Sequence, residues 1–188
     1  MKIGIYCGSF NPVHNGHIKI VNEIINQKIV DKVLIVPTGS YWDKDNLINL
    51  EDRINMLSFF ETDNIIVERE YNVTSSTFES FNLFKKRYPN DELYLILGAD
   101  NLLKFENWIE YKKLLEYPFI IVRRGELNEA YINEKMNGFN KTNYTILNIP
   151  VIDIASTDIR SAKKRQKLVE LGILDEKVYK YITDKNLL

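Results

Sequence analysis

The run Lys2-Ile3-Gly4-Ile5-Tyr6-Cys7 leads directly into Gly8-Ser9-Phe10-Asn11-Pro12-Val13-His14-Asn15-Gly16-His17 and then into apolar residues at Ile18, Val21 and Ile25. Its first part is apolar without alternation, the mark of a strand covered on both faces, and its last part has helical spacing. A buried strand that passes through a glycine-bearing turn into a helix is the opening unit of a parallel sheet. The same unit recurs along the chain. Strand-like runs stand at Lys32–Val36, Ile65–Glu68, Leu93–Leu97, Phe119–Val122 and Thr145–Ile149, and helical spacing at Leu50, Ile54 and Leu57 and at Leu102, Phe105 and Ile109. Asn49, Ser76 and Asp175 occupy positions suited to helix starts, and a short helix is expected around Asn128–Met136.

This alternation predicts an α/β fold with a doubly wound parallel sheet, Rossmann-like in plan. No composition break marks a second domain, so residues 1–188 read as a single domain, with a late helical part at about 156–188 packing on the same sheet. Two long polar connections, Gly39–Asn49 and Gly125–Asn143, are expected to be lids or substrate loops.

A chain of 188 residues suffices for one core, burying about 70% of the surface of the unfolded chain. Its 25 basic and 26 acidic side chains nearly balance, which argues against a general nucleic-acid binder. The run Lys163-Lys164-Arg165 with Lys167 reads as a solvated helix face. The single cysteine, Cys7, lies in an apolar run and is expected to be a buried thiol in a reducing compartment, so a cytoplasmic location is expected. Apolar runs are far shorter than the roughly 18 residues of a spanning helix, and no signal-peptide pattern is evident, so no membrane association is expected. A homo-oligomer is left open.

In an open α/β sheet, ligands bind beyond the carboxyl ends of the strands, where helix N-termini offer amide donors to phosphate. The Gly8–His17 segment lies there. Gly8 and Gly16 permit a tight turn or a close backbone approach, and Ser9 brings a hydroxyl. The chain has only two histidines, His14 and His17, both in this turn. Each histidine alone also reads as a helix cap or a surface residue, and Gly16 as a plain turn glycine. Together they point to an anion site.

The same residues resemble the His-x-Gly-His motif of the nucleotidyltransferase superfamily. A second stretch, Ile154-Ala155-Ser156-Thr157-Asp158-Ile159-Arg160, resembles the superfamily's Ile-Ser-Ser-Thr-x-Ile-Arg motif, with Ala155 where the first serine is usual. Within the superfamily the chain is most similar, over nearly its whole length, to bacterial nicotinate-nucleotide adenylyltransferases. Leu97-Gly98-Ala99-Asp100-Asn101 with Trp108 matches a segment of that family closely. Val36–Lys44 with Arg53 and Met56-Leu57, Val73–Phe78, Arg123-Arg124-Gly125 and Val178–Leu188 match it more loosely.

The resemblance implies a nucleotidyltransferase fold and transfer of AMP from ATP to nicotinate mononucleotide, giving deamido-NAD and pyrophosphate. It implies catalytic roles for His14, His17 and Arg160. Contacts to ATP and its phosphates would come from Gly8, Ser9, Phe10, Gly16, Lys44, Ser156, Thr157 and Arg160. The nicotinate nucleotide would be held by Thr74, Thr77, Gly98, Asp100 and Trp108. Mg²⁺ is expected with ATP, held mainly by phosphates and water.

Three positions keep a second reading. Trp108 with Leu102 and Phe105 also reads as the core face of one amphipathic helix, Asp100 as the cap of a helix beginning at Asn101, and Ser156 or Thr157 as a cap. Phosphopantetheine adenylyltransferases, in which threonine is typical at the first histidine position, and glycerol-phosphate-type cytidylyltransferases are the neighbouring activities. A non-catalytic nucleotide sensor is the reading from another class.

Overall fold

The computed structural model describes residues 1–38, 47–70, 76–123, 128–149, 156–161, 163 and 165–188. Six parallel strands form one sheet in the order β3-β2-β1-β4-β5-β6. They are β1 (Lys2–Gly8), β2 (Lys32–Pro37), β3 (Ile65–Val67), β4 (Glu92–Gly98), β5 (Phe119–Arg123) and β6 (Tyr144–Asn148). All six coincide with the expected apolar runs to within two residues at either end. The largely buried β1, β2, β4 and β5 follow from cover on both faces.

The cover divides into two layers. On one face α1 (Asn15–Asn26) and α2 (Leu50–Ser58) pack with the late helices α7 (Ser156–Ser161), α8 (Arg165–Glu170) and α9 (Glu176–Asp184). There Ile24, Met56, Ile159, Val178 and Ile182 share one cluster with Tyr6, Val33 and Ile120 of the sheet. On the other face α3 (Thr77–Arg87), α4 (Ala99–Leu102), α5 (Tyr111–Leu114) and α6 (Glu129–Gly138) place Phe81, Leu102, Leu114 and Met136 against Ile5, Leu95 and Phe119. Strand order reverses direction between β1 and β4, so the switch point of this doubly wound sheet opens at their carboxyl ends.

Helix starts follow the side chains that cap them. Asn49 accepts from Asp52 N, Ser76 from Glu79 N, Asn128 from Tyr131 N and Asp175 from Lys177 N. The expected helix at Leu50, Ile54 and Leu57 forms as α2, burying Leu57 with Asp52, Arg53 and Met56 while Leu50 and Ile54 are partly buried. One helical expectation needs correction. The stretch from Ala99 to Leu114 is not one amphipathic helix: α4 ends at Leu102, Phe105–Asn107 form a 3₁₀ turn, and Glu110 takes a left-handed φ of 56° before α5. Ile109 is consequently 60% exposed. The tighter turn brings residues three apart into register, and Phe105 and Trp108 meet with ring centroids 5.3 Å apart.

Among the described residues no helix is long and apolar enough to cross a membrane. Cys7 is partly buried as a whole residue and packs against the second cluster, where desolvation pushes its thiol up to about 12.

Candidate active site

The turn after β1 is held rigidly for physical reasons that can be followed residue by residue. Phe10 adopts a left-handed φ of 43° and buries its ring edge-on to Tyr6, with centroids 5.3 Å apart. The ring also fills the space over Gly8, where a Cβ would lie 3.1 Å from the Phe10 ring. A larger residue at position 8 would press on the Phe10 ring. With its side chain buried, Phe10 has only its main chain to offer a phosphate.

Most carbonyls of this turn are engaged by donors. Gly8 O accepts from Thr38 N at 2.8 Å, Ser9 O from Arg53 Nη1 at 2.7 Å, Asn11 O from Arg160 Nη1 at 2.7 Å and Pro12 O from Ser156 Oγ at 2.9 Å. Two of the four donors are arginines. Carbonyl oxygens would repel an incoming phosphate, and turning them onto cations and donors removes that repulsion. The bonds from Ser156 and Arg160 also join two motifs that lie 144 and 149 residues apart in sequence to their partners Pro12 and Asn11.

His14 and His17 act on the first turn of α1 as caps. His14 is the N-cap, and its Nδ1 accepts from Gly16 N at 3.1 Å, while Nδ1 of His17 accepts from His14 N at 3.3 Å. Together they form a capping box built from two imidazoles. The remaining early amides are also engaged, Asn15 N with Ile173 O and His17 N with His14 O. The first amides of α1 are thus engaged by the histidines and by the Gly172-Ile173 turn.

This arrangement has a chemical consequence. A neutral imidazole whose Nδ1 accepts a hydrogen bond carries its proton on Nε2. In both rings, 3.8 Å apart between centroids, Nε2 is then the donor nitrogen of the neutral form. His14 is buried, and His17 is packed at 5.0 Å edge-on to Phe10, so neither ring swings freely.

Beside this loop, β1 and β4 pair as far as Tyr6↔Ile96, two residues short of Gly8 and Gly98, the last residues of their strands. Gly98 is the N-cap of α4 and supplies no side-chain cap; Asp100 lies in the first turn, exposed. The helix begins at Ala99, so Asp100 is not the cap of a helix starting at Asn101. Thr77 opens α3, and the neighbouring Phe78 ring lies beneath Lys113 Nζ at 5.1 Å, linking the start of α3 to α5 just past Trp108. Trp108 is partly buried against Phe105 at the end of the 3₁₀ turn.

Thr157 is exposed, and its Oγ1 accepts from Arg160 Nη2 at 3.1 Å, orienting the guanidinium. Lys44, Thr74, Trp42, Ala155, Arg124 and Gly125 lie outside the described residues.

Two buried residues of this region, Asn11 and Arg53, stand outside the expected site. Asn11 Oδ1 accepts from Ile48 N at 3.0 Å, tying the turn to the chain entering α2. Arg53 stood in the sequence only as part of the loose family match with Met56 and Leu57, with no role attached to it.

The sequence pattern of the cytidylyltransferase-like family matches residues 5–162. The nicotinate-nucleotide adenylyltransferase of Bacillus subtilis (strain 168) is 32% identical, over 99% of this chain and 97% of that protein. The chain belongs to this family. A probable nicotinate-nucleotide adenylyltransferase of Carboxydothermus hydrogenoformans is 34% identical over 99% of this chain and 97% of its own length. The fold also matches a solved Plasmodium falciparum nicotinic acid mononucleotide adenylyltransferase complexed with NaAD, with a TM-score of 0.81 at 24% identity, covering 99% of this chain and 96% of that one.

Proposed function

We infer that this member of the nicotinate-nucleotide adenylyltransferase family transfers AMP from ATP to nicotinate mononucleotide, forming deamido-NAD and pyrophosphate in NAD biosynthesis. Full-length identity to the Bacillus subtilis enzyme supports the activity. The observation that carries the mechanism is the pair of Nδ1-capped imidazoles set in a turn whose carbonyls are tied to Arg53, Arg160 and Ser156.

In the proposed reaction a 5′-phosphate oxygen of the mononucleotide attacks the α-phosphorus of ATP. The bond from that phosphorus to the bridging oxygen breaks, and its electron pair leaves with pyrophosphate. The nucleophile is already ionised, so no general base is required, and the protein contributes alignment and charge stabilisation. His14 and His17 donate from Nε2 to oxygens of the α-phosphate as charge grows on them. Arg160, held by Asn11 O and Thr157 Oγ1, keeps the rest of its planar fork for the β- and γ-phosphates. Gly8, Ser9, Phe10, Gly16, Ser156, Thr157 and Lys44 complete the triphosphate side. The acceptor's ribose and base lie toward Gly98, Asp100, Thr74, Thr77 and Trp108, with the indole available to stack on the pyridine ring.

Among the described residues no three His, Cys, Asp or Glu side chains come together to hold a metal ion. Mg²⁺ would be held mainly by the phosphates of ATP and by water, and would neutralise charge on the pyrophosphate leaving group.

Pyrophosphate release tests the reading. Nicotinate mononucleotide with ATP and Mg²⁺ is expected to give rapid release, whereas equal or faster release with phosphopantetheine as acceptor contradicts it.

A further inference from the structure

Arg53 is the largest of the fully buried side chains, 1% exposed, yet it has no carboxylate partner among the described residues. Its guanidinium instead gathers three main-chain carbonyls. Nε donates to Ile48 O at 2.9 Å, and Nη1 donates to Ser9 O at 2.7 Å and to Thr38 O at 2.8 Å. These acceptors belong to three separate segments: the turn after β1, the residue that follows β2, and the chain entering α2. Asn11 Oδ1 adds a second tie between the first and the third.

Packing alone does not account for this choice. An uncompensated charge is costly to bury, and methionine would fill similar volume without that cost. Desolvation pulls the Arg53 guanidinium down to about 10, which leaves it charged at neutral pH. A cation is thus maintained behind Ser9, at the base of the loop that carries the two histidines, with its planar fork fixing where three backbone segments meet.

We propose that Arg53 is a positioning residue for the nucleoside triphosphate: it sets the Ser9 backbone against Thr38 and Ile48, so that His14, His17 and Arg160 meet the phosphates in register. Resting on the adenylyltransferase reading, this assigns Arg53 to the triphosphate half of the site and not to the acceptor half. Misplacement of about 1 Å in such a site costs on the order of 10²-fold in rate. Loss of the fork is therefore expected to act on ATP selectively.

The test uses the intact chain as Arg53→Lys and Arg53→Met. Calorimetry measures binding of a non-hydrolysable ATP analogue and of nicotinate mononucleotide separately, and steady-state kinetics measures kcat and both KM values. Arg53→Lys keeps charge and length but lacks the planar fork, and it answers the question if Arg53→Met does not fold. The expected result is analogue affinity and kcat/KM for ATP reduced about 10- to 100-fold, with acceptor affinity changed by less than about twofold. Asp52→Asn, the adjacent residue, engaged with Tyr181 and Lys185, is expected to lower Tm with analogue affinity unchanged. Wild-type ATP-analogue affinity in folded Arg53→Lys, or equal losses for both nucleotides, overturns the proposal. Absence of turnover in the wild-type chain with nicotinate mononucleotide would overturn the parent reading instead, and the binding measurements would still judge Arg53.

Discussion

Two strand-to-helix turns flank the switch point of the sheet, one after β1 and one after β4, and they are built in opposite ways. The β1 turn spends side chains on its own backbone: Arg53, Arg160 and Ser156 hold its carbonyls, and two histidines cap the helix that follows. The β4 turn has a glycine cap with no side-chain bond and leads into a helix of four residues. A turn that must stabilise charge developing in a transition state gains from donors fixed before the substrate arrives, because no reorganisation then accompanies the reaction. A turn that only receives a nucleoside gains from open space and an exposed carboxylate such as Asp100. Rigidity is concentrated on the proposed donor side of the switch point, and accessibility on the acceptor side.

The largest effects are expected where the comparison is sharpest. His17→Ala is expected to lower kcat by about 10² or more, since removing one transition-state donor costs about 2.7–4 kcal/mol. His14→Ala should lose a similar factor and, as the N-cap is lost too, about 1 kcal/mol of stability by thermal or urea unfolding. Near wild-type kcat in either folded variant would break the contrast between the two turns. Arg160→Ala removes a charge-assisted donor and should raise KM for ATP and slow turnover by about tenfold, in line with roughly 1.5–3 kcal/mol for hydrogen bonds to charged groups. A rise confined to KM for nicotinate mononucleotide would move Arg160 to the acceptor side.

The smallest expected effect lies away from both turns. The Asp52 carboxylate is held below the usual carboxylate range, chiefly by the hydrogen bond from Lys185 and further by Tyr181 and Asn49, against the opposing effect of burial. A lowered folded-state pKa contributes stability that is present above the unfolded value and is lost as pH falls through the folded one. Lys185 is exposed, which limits its share, so Asp52→Asn should cost about 1 kcal/mol at pH 7, or about 2–4 °C in Tm. The difference should shrink as the solution is acidified below pH 4, while kcat at a temperature where both proteins are folded stays the same. A Tm difference that persists unchanged into acid would show that the charge of Asp52 contributes nothing.

Strands and caps were legible because their signals are local. An apolar run such as Leu93–Leu97 needs cover wherever it sits, and Asn49, Ser76 and Asp175 cap through bonds to amides two or three residues on. The stretch after β4 misled for the opposite reason. Leu102, Phe105 and Ile109 have helical spacing, but the aromatic contacts of Phe105 with Trp108, Tyr111, Phe119 and Phe139 go with a tighter turn that turns Ile109 outward. In the site, the histidines stood out by their rarity, whereas the sequence did not reveal what their Nδ1 atoms do. Cap and ligand are not exclusive readings, since each ring caps through Nδ1 alone. Asn11 and Arg53 were on view in the quoted stretches, but not their roles, because their partners are backbone amides and carbonyls brought together only by the fold.

The central claim is that the Nε2 donors, rather than the caps, drive the reaction, and a variant that separates the two tests it directly. In His14→Asn/His17→Gln, an Asn N-cap and a Gln three residues on can reproduce the capping box without an imidazole. Measured with nicotinate mononucleotide and saturating MgATP, this double variant is predicted to keep its Tm within a few degrees of the wild type, caps being worth about 1 kcal/mol each, and to lose at least about 10² in kcat. A folded double variant that retains wild-type kcat would contradict the account, leaving the two histidines as helix caps alone.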